Sequence, residues 1–193
     1  MNSRLGVSLL MLALATSGCR TAPTPAPNGL ADKEVDLSHM KKAEESVTVN
    51  DPSRPDLPVL NRHQVWQGLM MKAEDATRFV PIITSCKVVE RFKGGFIREI
   101  NVGEQRVRER VTFLPEQRVR FVQLDGPAKG GAVDNIIDED KDGTLRLRFA
   151  FYLPPGGSLE GLGSKDGAPT ELKAIYRQAL ESTLSTVRKL AWR

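Results

Sequence analysis

The sequence predicts an α+β domain in which an antiparallel seven-stranded sheet curves around one long carboxy-terminal helix, with two short helices after the first strand. Three observations predict it. Apolar and polar residues alternate through six consecutive runs between Ile82 and Tyr152, each bounded by turn residues. The stretch from Thr170 to Trp192 repeats apolar residues at helical spacing. The alternating runs leave one apolar sheet face, and that helix is the element available to cover it.

The chain has 193 residues, 40% hydrophobic and 27% charged, which is the composition of one ordinary globular domain. Its 28 Lys and Arg against 24 Asp and Glu are interspersed rather than gathered in blocks, so a dedicated nucleic-acid binder is excluded and no nucleic-acid partner is expected. Residues 1–18 read as an export signal: Arg4 supplies the positive start, Leu5 to Ala15 an apolar core too short to span a bilayer, and Thr16, Ser17 and Gly18 the small residues before Cys19. The Gly-Cys ending resembles the bacterial lipobox, with Thr16 where that pattern has Leu. The resemblance implies acylation of Cys19, a lipid anchor in the membrane and, with Arg20 rather than Asp following, an outer-membrane lipoprotein facing the periplasm. Cys86 is then the remaining thiol, and no internal disulfide is expected. Residues 19–43 comprise that cysteine and a proline-rich tether, with a reach of roughly 30 to 70 Å, and the folded domain is expected over 44–193.

Within that domain Ser46 to Asn50 alternates as a first strand, stopped by three prolines between Asp51 and Pro58. Asn61 and Gln64 have the spacing of a capping box, and Val65, Trp66, Leu69, Met70 and Ala73 then recur with helical period. Asp75 caps a second short helix that Pro81 ends. In the six following strands Cys86, Val88, Phe92, Phe96, Ile100, Val107, Val111, Val119, Phe121, Val133, Ile137, Leu147 and Phe149 fall on one face. Lys87, Arg91, Arg108, Arg110, Arg118, Arg120, Arg146 and Arg148 fall on the other, wet face. In the last helix the stripe is Leu172, Ile175, Tyr176, Ala179, Thr183, Val187 and Leu190.

The segments Val49 to Pro52, Asn61 to Ala73 (NRHQVWQGLMMKA), Phe79 to Val88 (FVPIITSCKV), Arg98 to Ile100 and Glu109 to Glu116 (ERVTFLPE) resemble the AtaL-like family, as do Asp125-Gly126-Pro127 and Asn135-Ile136. That family is largely of unknown function and belongs with the START-related, pollen-allergen-like and polyketide-cyclase-like domains. The resemblance covers about residues 46 to 192; Asn61 replaces the usual Thr. It implies a helix-grip fold enclosing an apolar ligand cavity, which Trp66, Phe96, Phe121, Asn135, Leu147, Phe149 and Tyr176 are expected to line.

Hairpin loop lengths fix which residues face each other across the sheet. A two-residue Gly103-Glu104 loop sets Arg98 against Glu109, a three-residue turn at Pro115 to Gln117 sets Glu109 against Gln123, and a three-residue Lys93 to Gly95 loop sets Glu90 against Arg98. The four residues Glu90, Arg98, Glu109 and Gln123 then form a polar row on the apolar face, either a satisfied structural network or the polar end of a ligand site. Two carboxylates against one guanidinium leave a surplus of one negative charge, which calls for a further donor such as Tyr176.

Other constellations carry less. Asp138, Asp140, Asp142 and Gly143 open like a calcium loop, but Phe149 stands where the bidentate Glu belongs, so no metal site is expected. His63 reads as a surface residue and Cys86 as an inert core thiol. The glycine-rich stretch 156–167 lacks the Gly-Lys-Ser/Thr order of a phosphate loop and reads as a flexible loop near the cavity mouth. No cofactor is expected, and the sequence identifies no protein partner. These readings point to a tethered binding module for a small hydrophobic or lipid-like molecule, with no catalytic residue assigned. The alternatives are a cyclase- or hydrolase-like enzyme using Glu90 or Glu109 with Arg98, and a structural lipoprotein with a filled core.

Overall fold

The computed structural model describes residues 35–126, 128–156 and 169–191. The signal, Cys19, Pro127 and the glycine-rich stretch from 157 onward lie outside them. The first strand, β1 (Lys41–Thr48), is followed by α1 (Arg62–Glu74), a 3-10 turn (Ala76–Arg78), and strands β2 (Ile83–Phe92), β3 (Gly95–Val102), β4 (Gln105–Leu114), β5 (Arg118–Gln123), β6 (Ala132–Glu139) and β7 (Leu145–Leu153). The last element is α2 (Pro169–Ala191).

All seven strands form one antiparallel sheet in the order β1-β7-β6-β5-β4-β3-β2. Its inner face carries Phe96, Val111, Phe121, Ile137, Leu147 and Phe149, all buried, and the two helices pack over them. A sheet gripping a long helix is the arrangement the family resemblance implies. β1 begins at Lys41, five residues before the expected start, in what reads as the end of the tether. The extra turn of alternation is hidden in the sequence because Glu45 occupies an inner-face position, opposite Phe149, where it pairs with Arg177 of α2.

Helix α1 starts as its sequence dictates. Asn61 accepts from the Gln64 amide at 2.8 Å while Gln64 returns the bond to the Asn61 amide at 2.9 Å. Just upstream, the Asn50 side chain bonds both the amide and the carbonyl of Leu60, closing the proline-rich loop. Asp75 caps the 3-10 turn through the Thr77 amide.

The hairpin joining β2 and β3 differs from expectation. Its loop has two residues, Lys93 and Gly94, so Phe92 faces Gly95 and the strand is one residue out of the predicted phase. A one-residue slip sends every side chain to the opposite face, and accordingly Glu90 and Phe92 turn outward while Arg91 turns in toward Glu74 at 3.0 Å. A bulge at Val89 then restores the phase, so that Val88 and Cys86 point inward as predicted. The remaining basic residues of the outer face are largely matched: Arg120 grips Asp134 through two bonds of 2.7 Å, Arg108 binds Asp125, and Arg148 binds Asp138.

Helix α2 packs on β1, β7 and α1. Tyr176, Thr183 and Val187 of the predicted stripe are buried, and Leu180 and Leu184 widen it. The side chains of Leu172 and Ile175 lie outside the described residues. The two helices meet at Gly68, where a Cβ would fall 2.1 Å from a Val187 methyl carbon. Gly68→Ala should therefore destabilise the fold by roughly 1–3 kcal/mol in urea unfolding, despite the better helix propensity of alanine. Adding Val187→Ala should recover part of that loss, a non-additive coupling that a double-mutant cycle reads directly.

Candidate functional site

Arg98 and Glu109 stand opposite each other on β3 and β4, as the loop lengths predict, and both are buried, at 4% and 5% exposure. The Arg98 Nε and one terminal nitrogen donate to the same carboxylate oxygen at 2.8 and 2.7 Å. The other terminal nitrogen donates to the carbonyls of Lys72 and Ala73, at 3.0 and 2.9 Å. These are among the carbonyls that a helix end leaves without an intrahelical partner, and a cation there also matches the helix dipole. The guanidinium lies 4.4 Å over the ring of Phe121. Gln123 faces Glu109 on β5 and is half-buried.

Glu90 is not in this row. It is exposed, opposite Ile97 on the outer face, and Val88 occupies the place beside Arg98. The cause is the shorter hairpin loop and its compensating bulge. The row is thus one carboxylate poorer than the sequence suggests.

A lysine enters instead. Lys72 is 6% exposed, its Nζ donates to Asn135 Oδ1 at 2.9 Å, and it lies 3.9 Å from the ring centre of Phe149. Burial first, and then the neighbouring Arg98, pull its pKa down to about 7, with Glu109 opposing them. When Lys72 is protonated the cluster holds two cations and one anion, the reverse of the predicted surplus. The signal was present in the sequence, because Val65, Gly68, Leu69, Lys72 and Ala73 are the buried residues of α1 and follow the i, i+3, i+4, i+7, i+8 pattern.

Tyr176 completes the interior polar set. It is 2% exposed and stacks on Phe151 with ring centres 3.7 Å apart. Its hydroxyl has no hydrogen-bond partner among the described residues, so it does not serve the row as the extra donor. Burial pushes its pKa up to about 12. Of the other expected lining residues, Phe121, Asn135 and Phe149 touch the cluster, whereas Phe96 and Leu147 are packed in the core and Trp66 meets Phe113 edge-on at 6.1 Å.

Among the described residues no group of His, Cys, Asp and Glu converges as a metal site. Asp138 and Asp140 bind Arg148 and Arg146, and Asp142 accepts from the Thr144 amide. His63 bonds Glu116 at 2.7 Å on the surface, and the Cys86 thiol donates to the Glu74 carbonyl. A groove of about 780 Å³ runs between β1, α2 and the loop before α1. Its arginines are engaged: Arg54 with Asp56, Arg146 with Asp140, Arg177 with Glu45, and Arg188 with the carbonyls of Val49 and Pro58.

Two stability measurements test this geometry. Arg98→Leu leaves a buried carboxylate and two helix carbonyls without their donor, an expected loss of roughly 3–5 kcal/mol, and Arg98→Leu combined with Glu109→Leu should recover much of it. Lys72 titrates near 7 folded against its ordinary value of 10.5. Between those values the unfolded chain binds the extra proton, so stability should rise with pH across that window, by on the order of 4 kcal/mol, while the full penalty of a buried ammonium applies below it. Urea unfolding from pH 6 to 10 should show this rise in the wild type and its loss in Lys72→Met.

No curated protein matches the chain. The di-domain ARO/CYC StfQ from the steffimycin biosynthetic pathway superposes with a TM-score of 0.54 at 12% identity, over 79% of this chain and 52% of StfQ, so the chain spans about half the length of that protein. The KanY protein superposes with a TM-score of 0.53 at 14% identity, covering 77% of this chain and 97% of its own. A protein from Nitrosospira multiformis gives a TM-score of 0.51 at 17% identity, covering 79% and 100%. At these identities the likeness establishes the helix-grip fold, and it agrees with the sequence match over residues 46–193 to AtaL, Acetylaranotin biosynthesis cluster protein L, the family to which this chain belongs.

Proposed function

We propose that the protein is an exported lipoprotein, anchored through Cys19 in the outer membrane and facing the periplasm, whose helix-grip domain holds a small hydrophobic or lipid-like molecule between the sheet and its helices. The observation that carries this reading is the Tyr176 hydroxyl, buried in an aromatic interior with no partner among the described residues. A buried hydroxyl left unpaired costs roughly 1–3 kcal/mol, and such groups are exceptional in folded proteins. A ligand bearing one acceptor would satisfy it. The fold neighbour StfQ is named for a biosynthetic pathway, which fits a domain built around a small molecule. The enzyme alternative keeps Glu109 beside Arg98 and loses Glu90, which faces outward. Support for the anchor comes from the signal and the lipobox-like Gly18-Cys19 pair.

Native mass spectrometry of the protein purified from its own envelope should show a noncovalently retained molecule. A dry interior too small for any ligand would sink the reading. Cys19→Ser should move the protein from the membrane fraction to the soluble fraction.

A further inference from the structure

The charge balance around Lys72 bears on what kind of molecule the interior takes. Every element packed against it contributes. Arg98 from β3 is a cation and Glu109 from β4 an anion, bonded to each other. Asn135 from β6 and Gln123 from β5 are neutral, β7 presents Phe149, and Cys86 on β2 donates to the Glu74 carbonyl. Glu45 on β1 is spent on Arg177 of α2, and Glu74 on Arg91. Tyr176 of α2 is neutral and without a partner among the described residues. Among the described residues a protonated Lys72 is thus one positive charge that no carboxylate answers with a bond, and its hydrogen bond is to the neutral Asn135 Oδ1.

The second observation is the placement of the two donors. Lys72 Nζ lies over Phe149 and the Tyr176 ring over Phe151, two residues apart on the same face of β7. Both donors thus belong to the same stretch of interior over β7, and a carboxylate has an acceptor oxygen for each. A neutral head group satisfies one donor and leaves the charge unanswered.

We propose that the ligand is a singly charged carboxylate amphiphile, its head held between Lys72 Nζ and Tyr176 Oη and its apolar body in the helix-grip interior. This rests on the reading of the domain as a holder of an apolar molecule. Binding then draws a proton onto Lys72. Affinity is highest where the carboxylate is ionised and the amine still protonates readily, and it falls as pH climbs above neutrality.

The test is calorimetric titration of the full chain carrying Cys19→Ser, which removes the need for detergent, with dodecanoate, dodecanol and dodecylamine. The expected result is at least a tenfold preference for dodecanoate over dodecanol at pH 6.5, shrinking about tenfold by pH 9, with dodecylamine weakest. NMR of the lysine side chains should show the Lys72 titration moving to higher pH when dodecanoate is bound. Lys72→Met should bring the dodecanoate-to-dodecanol ratio to about one. Equal binding of dodecanol and dodecanoate overturns the carboxylate inference and leaves the apolar-ligand reading standing. A carboxylate preference that persists in Lys72→Met also overturns it, since the head would then sit elsewhere, for instance among the cations of the β1 groove. Failure of all three probes to bind overturns both.

Discussion

The guanidinium of Arg98 joins β3, β4 and the end of α1 through one planar group. Arginine offers five N–H donors in fixed directions, and here they are divided between a carboxylate on the sheet and two carbonyls that the helix leaves unpaired. An ion pair alone gains little in such a place, because stripping water from both charges offsets most of the attraction. What makes the arrangement favourable is that the helix end needs donors in a region water does not reach. The rotation and height of α1 follow from it. Lys72 is thereby carried to Asn135 and Phe149, and Gly68 to Val187.

The register of β3, β4 and β5 was legible because their loops admit one solution each. Gly103-Glu104 closes a two-residue turn, and Pro115 to Gln117 a three-residue one in which Glu116 adopts a positive φ of 54°. The Lys93-Gly94-Gly95 loop is ambiguous, since either glycine could serve the turn. The fold decides it: Gly94 takes the left-handed conformation, while Gly95 is held in the strand, where a Cβ would stand 2.0 Å from the Val111 carbonyl oxygen. That contact comes from β4, and no local pattern in the hairpin announces it. Hence Arg98, Glu109 and Gln123 were placed correctly and Glu90 was not.

Two further features escaped for a shared reason. Lys72 and Glu45 are charged residues at inner-face positions, which residue type assigns to solvent. Each is answered by a partner far along the chain, Asn135 for one and Arg177 for the other. Periodicity marks their positions, and only the tertiary pairing makes their burial reasonable. The polar interior was therefore visible in outline, while the sign of its charge was not.

The bulge at Val89 has an effect beyond returning Val88 and Cys86 to the inner face. Among the described residues β2 and β1 are the two edges of the sheet, and a free edge offers unpaired amides and carbonyls to any strand that passes. A bulge breaks the even spacing of those groups and adds local twist, so a second strand cannot lie flat along the whole of β2, although Val89 itself is 46% exposed there. The opposite edge opens with Lys41 and Lys42, whose charge disfavours the same event. The irregularity that compensates the short hairpin loop thus also protects the sheet from growing by strand addition.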